Sequence, residues 1–389
     1  MIKLIKNAVV YNPEYLGKKD VLIVDRKIGA IEDDIPVDCF PTVEVLDGNG
    51  KVMVPGFIDH HVHIIGGGGE GSYRTRTPEL QLSDALLGGI TTVVGVIGTD
   101  GTTRTMASLI AKAKGLKEEG ISCYVHTGSY QVPVKTLTGK IEDDLILIEE
   151  VIGVGEIAIS DHRSSQPTCE DLAKIAAAAR VGGMLSGKAG IVNVHIGDSS
   201  SKLSLLHEVV KNTDVPIRQF LPTHINRNRQ LFEAGIEYAN QGGYVDLTTS
   251  SVPQFFEQGE VKCSKGFKEL LSAGVPVERI TFTSDGQASL PEFDEDGLLI
   301  GLQIGKVTSL YQEVRDAIIT EKVKVEDAIK VITANPADIL KLTQKGYIEV
   351  GKDADLVLLD EESYEIDSVM ALGKKMLWER ELLVKGTFE

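Results

Sequence analysis

Residues 55–344 alternate two kinds of segment, and no other feature of the chain narrows its fold as much. Short apolar runs suited to buried strands fall at 56–63, 90–97, 122–127, 153–159, 190–195, 217–223, 244–249 and 279–284. Between them lie segments of helical period, among them TMASLIAKAKGLKEEG, CEDLAKIAAAARVGGM, KLSLLHEVVKN and RQLFEAGIEYANQGG. Eight buried strands alternating with helices over this length predict an α/β chain with a (β/α)8 barrel at 55–344. A doubly wound open sheet is the competing architecture, but no GxGxxG motif opens a helix after the first strand. Residues 1–54 and 345–389 read differently, as short alternating strands broken by turns such as Gly48-Asn49-Gly50. Two strand-rich ends around a different middle predict one small β-sandwich domain built from both termini.

Composition excludes several classes. The net charge is −17, and the 40 Lys and Arg residues form no blocks, which argues against nucleic-acid or anionic-membrane partners. Cys39, Cys123, Cys169 and Cys263 lie far apart with no CxxC pair, so a reducing compartment is expected and a thiolate zinc site is not. No window reaches the roughly 20 apolar residues of a membrane span, and the first residues lack a signal-peptide core. The expectation is a cytoplasmic protein.

In a barrel of this kind chemistry collects at the C-terminal strand ends. Asp59, His60, His61 and His63 stand at the first, Thr99 and Asp100 after the second, and Tyr130 after the third. Glu156, Asp161, His162 and Arg163 lie in and after the fourth, His195 ends the fifth, His224 the sixth and Asp285 the eighth. Six of the eight histidines fall on this rim, which leaves His126 and His207 elsewhere. Singly, each has an ordinary alternative: a polar strand end for the HxH pair, a structural histidine, a turn or cap for Asp285. Jointly, imidazoles and carboxylates from several strand ends suit zinc, in number enough for two ions. Alternation along an extended strand turns Asp59, His61 and His63 into the barrel mouth and His60 towards the surrounding helices. Gly66–Gly69 reads as a flexible loop, since no Gly-Lys-Ser/Thr follows for a phosphate loop.

The stretches PGFIDHHVHIIGGGGEG, ISDHRSS, LPTHINRN, TSDGQAS and VKGTFE together resemble the isoaspartyl dipeptidases of the amidohydrolase superfamily, over essentially the whole chain. The resemblance implies a distorted (β/α)8 barrel that hydrolyses β-aspartyl dipeptides with two zinc ions and a hydroxide bridging them. His61 and His63 would bind the buried metal, His195 and His224 the second, and Asp285 would touch the first metal and carry the proton. Glu156 stands where the family usually has a carbamylated lysine bridging the metals; both groups offer an anion with two oxygens. The alternative is that Glu156 stands aside and a single metal binds. Glu70 would pair with the substrate ammonium, Arg163 and Arg227 with its carboxylates, and Ser289 and Thr99 with further polar groups. Tyr130 would hydrogen-bond the developing oxyanion. The resemblance also implies a homo-oligomer, with an octamer among the assemblies expected. Two other functions compete: a cyclic amidase of the dihydroorotase or hydantoinase type, and a non-catalytic scaffold of the same fold.

Overall fold

The computed structural model describes residues 2–293 and 299–389. The eight barrel strands are β1 (Phe57–Val62), β2 (Ile90–Gly95), β3 (Ser122–Thr127), β4 (Val151–Ile159), β5 (Ile191–Ile196), β6 (Phe220–Thr223), β7 (Val245–Thr248) and β8 (Ile280–Thr283). Helices such as Met106–Glu119, Cys169–Ser186, Ser204–Asn212 and Arg229–Asn240 connect them. Local chemistry fixes where these helices begin. Thr168 and Asp171 form a reciprocal capping box at the start of Cys169–Ser186, and Gly187, with φ +71°, ends that helix in the left-handed conformation.

The strands split their apolar residues between two cores. Phe57, Val93, Val125, Val154, Val192, Phe220, Val245 and Phe282 point outward and pack under the helices. Ile58, Val94, Ile152, Ile191 and Leu221 point inward and plug the lower bore with Leu340. The upper bore is left to polar side chains, which is where the rim residues gather.

The barrel is not closed by one continuous ladder. Strands β1 to β6 form a parallel six-stranded sheet, while β7 and β8 pair only with each other. Side chains and isolated contacts bridge both seams. Asp246 of β7, fully buried, accepts hydrogen bonds from Thr223 of β6 (2.6 Å) and from Thr281 and Thr283 of β8 (2.7 and 2.6 Å). Across the other seam Val62 bridges Gly286, and the Ser284 hydroxyl and amide donate to Asp59.

Both chain ends contribute to one further sheet of nine strands. Lys51–Pro55 lies antiparallel to Leu356–Asp360 and parallel to Ile2–Tyr11, joining N-terminal and C-terminal strands in one path. This sheet curls around its own core, in which Ile5, Val10, Ile23, Met53, Leu356 and Met370 pack together. Its other face, including Val52, Val54, Leu359 and Val369, joins the apolar cluster on the outside of the barrel. All four cysteines are free. Among the described residues, no helix is long and apolar enough to cross a membrane.

Candidate active site

β1 delivers its histidines through an irregularity. Asp59 is in register with Val93 and Val62 with Gly95, so one extra residue is inserted between them. Such a bulge breaks the two-residue alternation. His60 shares the inward face of Ile58 rather than facing the helices, with Nε2 3.2 Å from Asp246 Oδ1, and the extra residue lets His61 turn inward beside it. Asp59, expected in the mouth, instead reaches the turn after β8; burial pushes its carboxyl up to about 6. His61 and His63 do enter the mouth as expected. His61 Nδ1 lies 3.1 Å from Asn193 Oδ1, which orients the ring with Nε2 facing the cluster.

Glu156 arrives by a second bulge. Val154 pairs with Val192 but Ile157 pairs with Val194, so β4 carries an extra residue at Gly155–Glu156. Gly155, with φ +144°, makes room: a Cβ there would stand 2.6 Å from the Asn193 carbonyl oxygen. His224 and Asp285 leave their strands in the left-handed region, with φ of +66° and +53°. Non-glycine residues adopt that conformation sparingly, and it recurs at functional sites.

These segments bring six side chains together. His61, His63 and Asp285 form one group whose donor atoms lie within 4.8 Å of each other, and His61, Glu156 and His224 form another. Glu156 Oε1 lies 2.8 Å from His195 Nδ1, 3.3 Å from His224 Nε2 and 3.4 Å from His61 Nε2. Asp285 Oδ1 is 3.0 Å from His63 Nε2. Thr248 of β7 orients His224 through Nδ1 at 2.7 Å.

The electrostatics call for a cation. Burial opposes ionisation of Glu156, yet the His61 charge and the imidazole hydrogen bonds outweigh it and hold the carboxyl well below the usual range. Burial likewise opposes a charged His61, but Glu156 and Asp285 push its imidazole up to about 10. Two carboxylates, Glu156 buried and Asp285 partly so, thus draw a proton onto a fully buried ring. Glu156 Oε2 and His61 Nε2 make no hydrogen bond in spite of their burial. A divalent ion would answer both demands, and the donor set of imidazole nitrogens and carboxylate oxygens fits one. His224, lowered to about 4 by burial and by His195, would enter such a site neutral.

The expected substrate-binding residues line the lip above this cluster. Thr99 donates to Glu70 Oε1 at 2.8 Å, and Arg163 Nη1 is 3.6 Å from the same oxygen. Tyr130 is held between strand ends by hydrogen bonds from its amide to Gly98 O and from the Ala158 amide to its carbonyl. Its hydroxyl is 2.8 Å from His195 Nδ1, and burial pushes that phenol well above its ordinary value. Arg227 lies close enough to act electrostatically on Tyr130 and His224, and its buried Nε has no hydrogen-bond partner. Ser289 packs against Gly68.

Two features differ from the sequence reading, which gave Asp161 a place on the rim but no role and took Gly66–Gly69 for a flexible loop. Asp161, buried, accepts the Arg163 Nε and Nη2 donors at 3.0 and 2.7 Å and lies 2.9 Å from His195 Nε2. It therefore fixes an arginine of the lip and a candidate metal ligand at once; the Asp-x-Arg spacing in ISDHRSS was its only signal. The Gly66–Gly69 run is also not a loose loop. A Cβ at Gly66 would stand 2.2 Å from Thr77 O, and one at Gly68 2.6 Å from Thr75 O. Here glycine serves close packing rather than freedom of movement.

The family described as amidohydrolase matches residues 52–376. The chain belongs to the amidohydrolase family. Within it, this amidohydrolase is similar to a β-aspartyl dipeptidase from Fervidobacterium islandicum AW-1, solved in complex with β-Asp-Leu. Identity is 46%, each chain is covered over 98%, and the TM-score is 0.91. A second structure of that dipeptidase gives 44% identity, 98% coverage of each chain and a TM-score of 0.89. More distantly, a Lactiplantibacillus plantarum dihydroorotase is 24% identical over 96% of this chain and 93% of its own. A Brevibacillus agri dihydropyrimidinase shares the fold at 18% identity, with a TM-score of 0.70 over 99% of this chain and 97% of its own. The likeness to the dipeptidases therefore extends over nearly the full length, and the protein is a hydrolase.

Proposed function

We propose that the protein hydrolyses β-aspartyl dipeptides, in which the scissile amide runs through the aspartate side chain. The observation that carries this reading is the lip: a carboxylate and a guanidinium, Glu70 and Arg163, 3.6 Å apart above the histidine–carboxylate cluster. Such a substrate presents one ammonium and two carboxylates, and Glu70, Arg163 and Arg227 offer the complementary charges. The similarity to a dipeptidase that holds β-Asp-Leu supports the same substrate class.

His61, His63 and Asp285 would hold one zinc ion and His195 and His224 a second, with Glu156 between them. Bound metal would supply Lewis acidity towards the amide carbonyl and a water acidic enough to ionise near neutral pH. The protein's own groups do the rest. Tyr130, kept protonated by its burial, donates to the amide oxygen as that oxygen gains charge. Asp285 takes a proton from the attacking water and returns it to the leaving amine. Glu70, Arg163, Arg227, Thr99 and Ser289 hold the dipeptide so that the side-chain amide, not an α-peptide bond, meets these groups.

We further read the protein as a cytoplasmic homo-oligomer. Its free cysteines fit a reducing compartment. Val181, Met184 and Leu185 expose an apolar stripe on one helix, and Leu147 exposes another apolar side chain on the helix packed beside it. Patches of this kind mark association surfaces, and light scattering of the purified protein checks the assembly.

The deciding experiment pairs metal analysis with hydrolysis of β-Asp-Leu, α-Asp-Leu, dihydroorotate and hydantoin. Two metals per chain and turnover of β-Asp-Leu alone, both lost in Glu156→Gln, are the expected results. Turnover of dihydroorotate or hydantoin with no action on β-Asp-Leu would replace this reading with a cyclic amidase.

A further inference from the structure

Arg104 is buried to 3% exposure beneath the active-site lip, near enough to Glu70 to feel its charge but with no hydrogen bond to it among those described. It has no close carboxylate partner: Asp100 Oδ2 is 3.7 Å away and is engaged more tightly by Arg76, at 2.8 Å. Its guanidinium instead donates to two backbone carbonyls, those of Gly67 and of Gly68, the latter at 3.1 Å. A buried cation held mainly by carbonyls is costly to maintain, so the segment it grips has a reason to be gripped.

That segment ends at Glu70. Around it the chain is fixed from several sides: the Gly67 amide donates to Thr77 Oγ1 and to Gln287 O, and Gly68 forms a bridge with Arg76. Arg104 follows the loop after β2, and the same loop carries Thr99, whose hydroxyl donates to the Glu70 carboxylate. Two loops thus converge on one carboxylate, and Arg104 locks their backbones together behind it.

We propose that Arg104 is a positioning residue for ammonium recognition: by clamping the Gly67 and Gly68 carbonyls to the loop after β2, it sets where Glu70 meets the substrate. The inference rests on the β-aspartyl dipeptidase reading and deepens it. The Arg104 guanidinium is spent on the Gly67 and Gly68 carbonyls and not on a candidate metal ligand, so its effect belongs to binding of the ammonium and not to the chemical step. Lysine would keep the charge but lose the planar fork that reaches both carbonyls.

The test compares β-Asp-Leu with N-succinyl-leucine, the same amide without the ammonium. For Arg104→Lys, KM for β-Asp-Leu should rise about tenfold with kcat within about threefold, and kinetics on N-succinyl-leucine should stay at the wild-type level. In a Glu70→Gln background, Arg104→Lys should add nothing further. Arg104→Gln, which keeps a planar donor group without the charge, should show the same selective rise in KM, and it decides the matter if Arg104→Lys does not fold. Equal losses on both substrates, or additive losses with Glu70→Gln, would overturn the inference while leaving the dipeptidase reading intact. Failure of the wild type to cleave β-Asp-Leu would remove both.

Discussion

The two parts of the barrel are held together by different means. Strands β1 to β6 share a backbone ladder and carry five of the six candidate ligands, His61, His63, Glu156, His195 and His224. The β7–β8 pair lies outside that ladder and leads to the sixth, Asp285. A continuous backbone ladder positions the first group; isolated backbone contacts such as Val62 with Gly286, and buried side chains such as Asp246 and Asp59, position the second. A ladder tolerates the loss of any one side chain, whereas a side-chain seam depends on each member. The candidate catalytic centre straddles the boundary between the two.

The largest expected effect tests whether the parts act as one machine. Glu156→Gln from the ladder part and Asp285→Asn from the paired part should each lower kcat for β-Asp-Leu by about 10³- to 10⁴-fold. The double variant should be barely worse than either alone, since groups acting as a unit are far from additive. Multiplied losses in steady-state kinetics would break the comparison. Next in size, Asp246→Ala should cost about 3–5 kcal/mol in denaturant unfolding, because it strands buried His60 and three threonine hydroxyls. Removing metal with a chelator should abolish turnover and lower the unfolding free energy by about 2.7 kcal/mol relative to protein held at 100 times its metal Kd. This loss is read by calorimetry as a fall in Tm. Smallest is Asn193→Ala within the ladder, with a stability loss of about 1 kcal/mol. A loss as large as that of Asp246→Ala would remove the distinction between ladder and seam.

All eight strands were legible in the sequence because each is a short, largely buried run between helical segments, and most are rich in apolar residues, as parallel strands are. The rim residues followed from strand ends, so His61, His63, His195, His224 and Asp285 could be placed without coordinates. What escaped was whatever departs from regular alternation. His60 and His61 both turn inward because β1 carries an extra residue after Asp59, and nothing in DHHVH distinguishes a bulged strand from a straight one. Glycine runs are equally ambiguous, since flexibility and tight packing call for the same residue; only the nearness of the Thr77 and Thr75 carbonyls decides for packing here. Asp161 was legible as a polar residue on the rim, but its grip on both Arg163 and His195 depends on two loops meeting in space.

The sheet that joins the two ends of the chain has a consequence for synthesis. Lys51–Pro55 gains its antiparallel partner only when Leu356–Asp360 has left the ribosome, some three hundred residues later. Until then the nascent chain presents an open strand edge with apolar side chains on both faces, Val52 and Val54 on one and Met53 on the other. Unpaired edges of that kind recruit other chains. A ribosome that stalls within the barrel would therefore release a product prone to aggregation, and chaperone demand during translation should be concentrated on the first fifty-five residues.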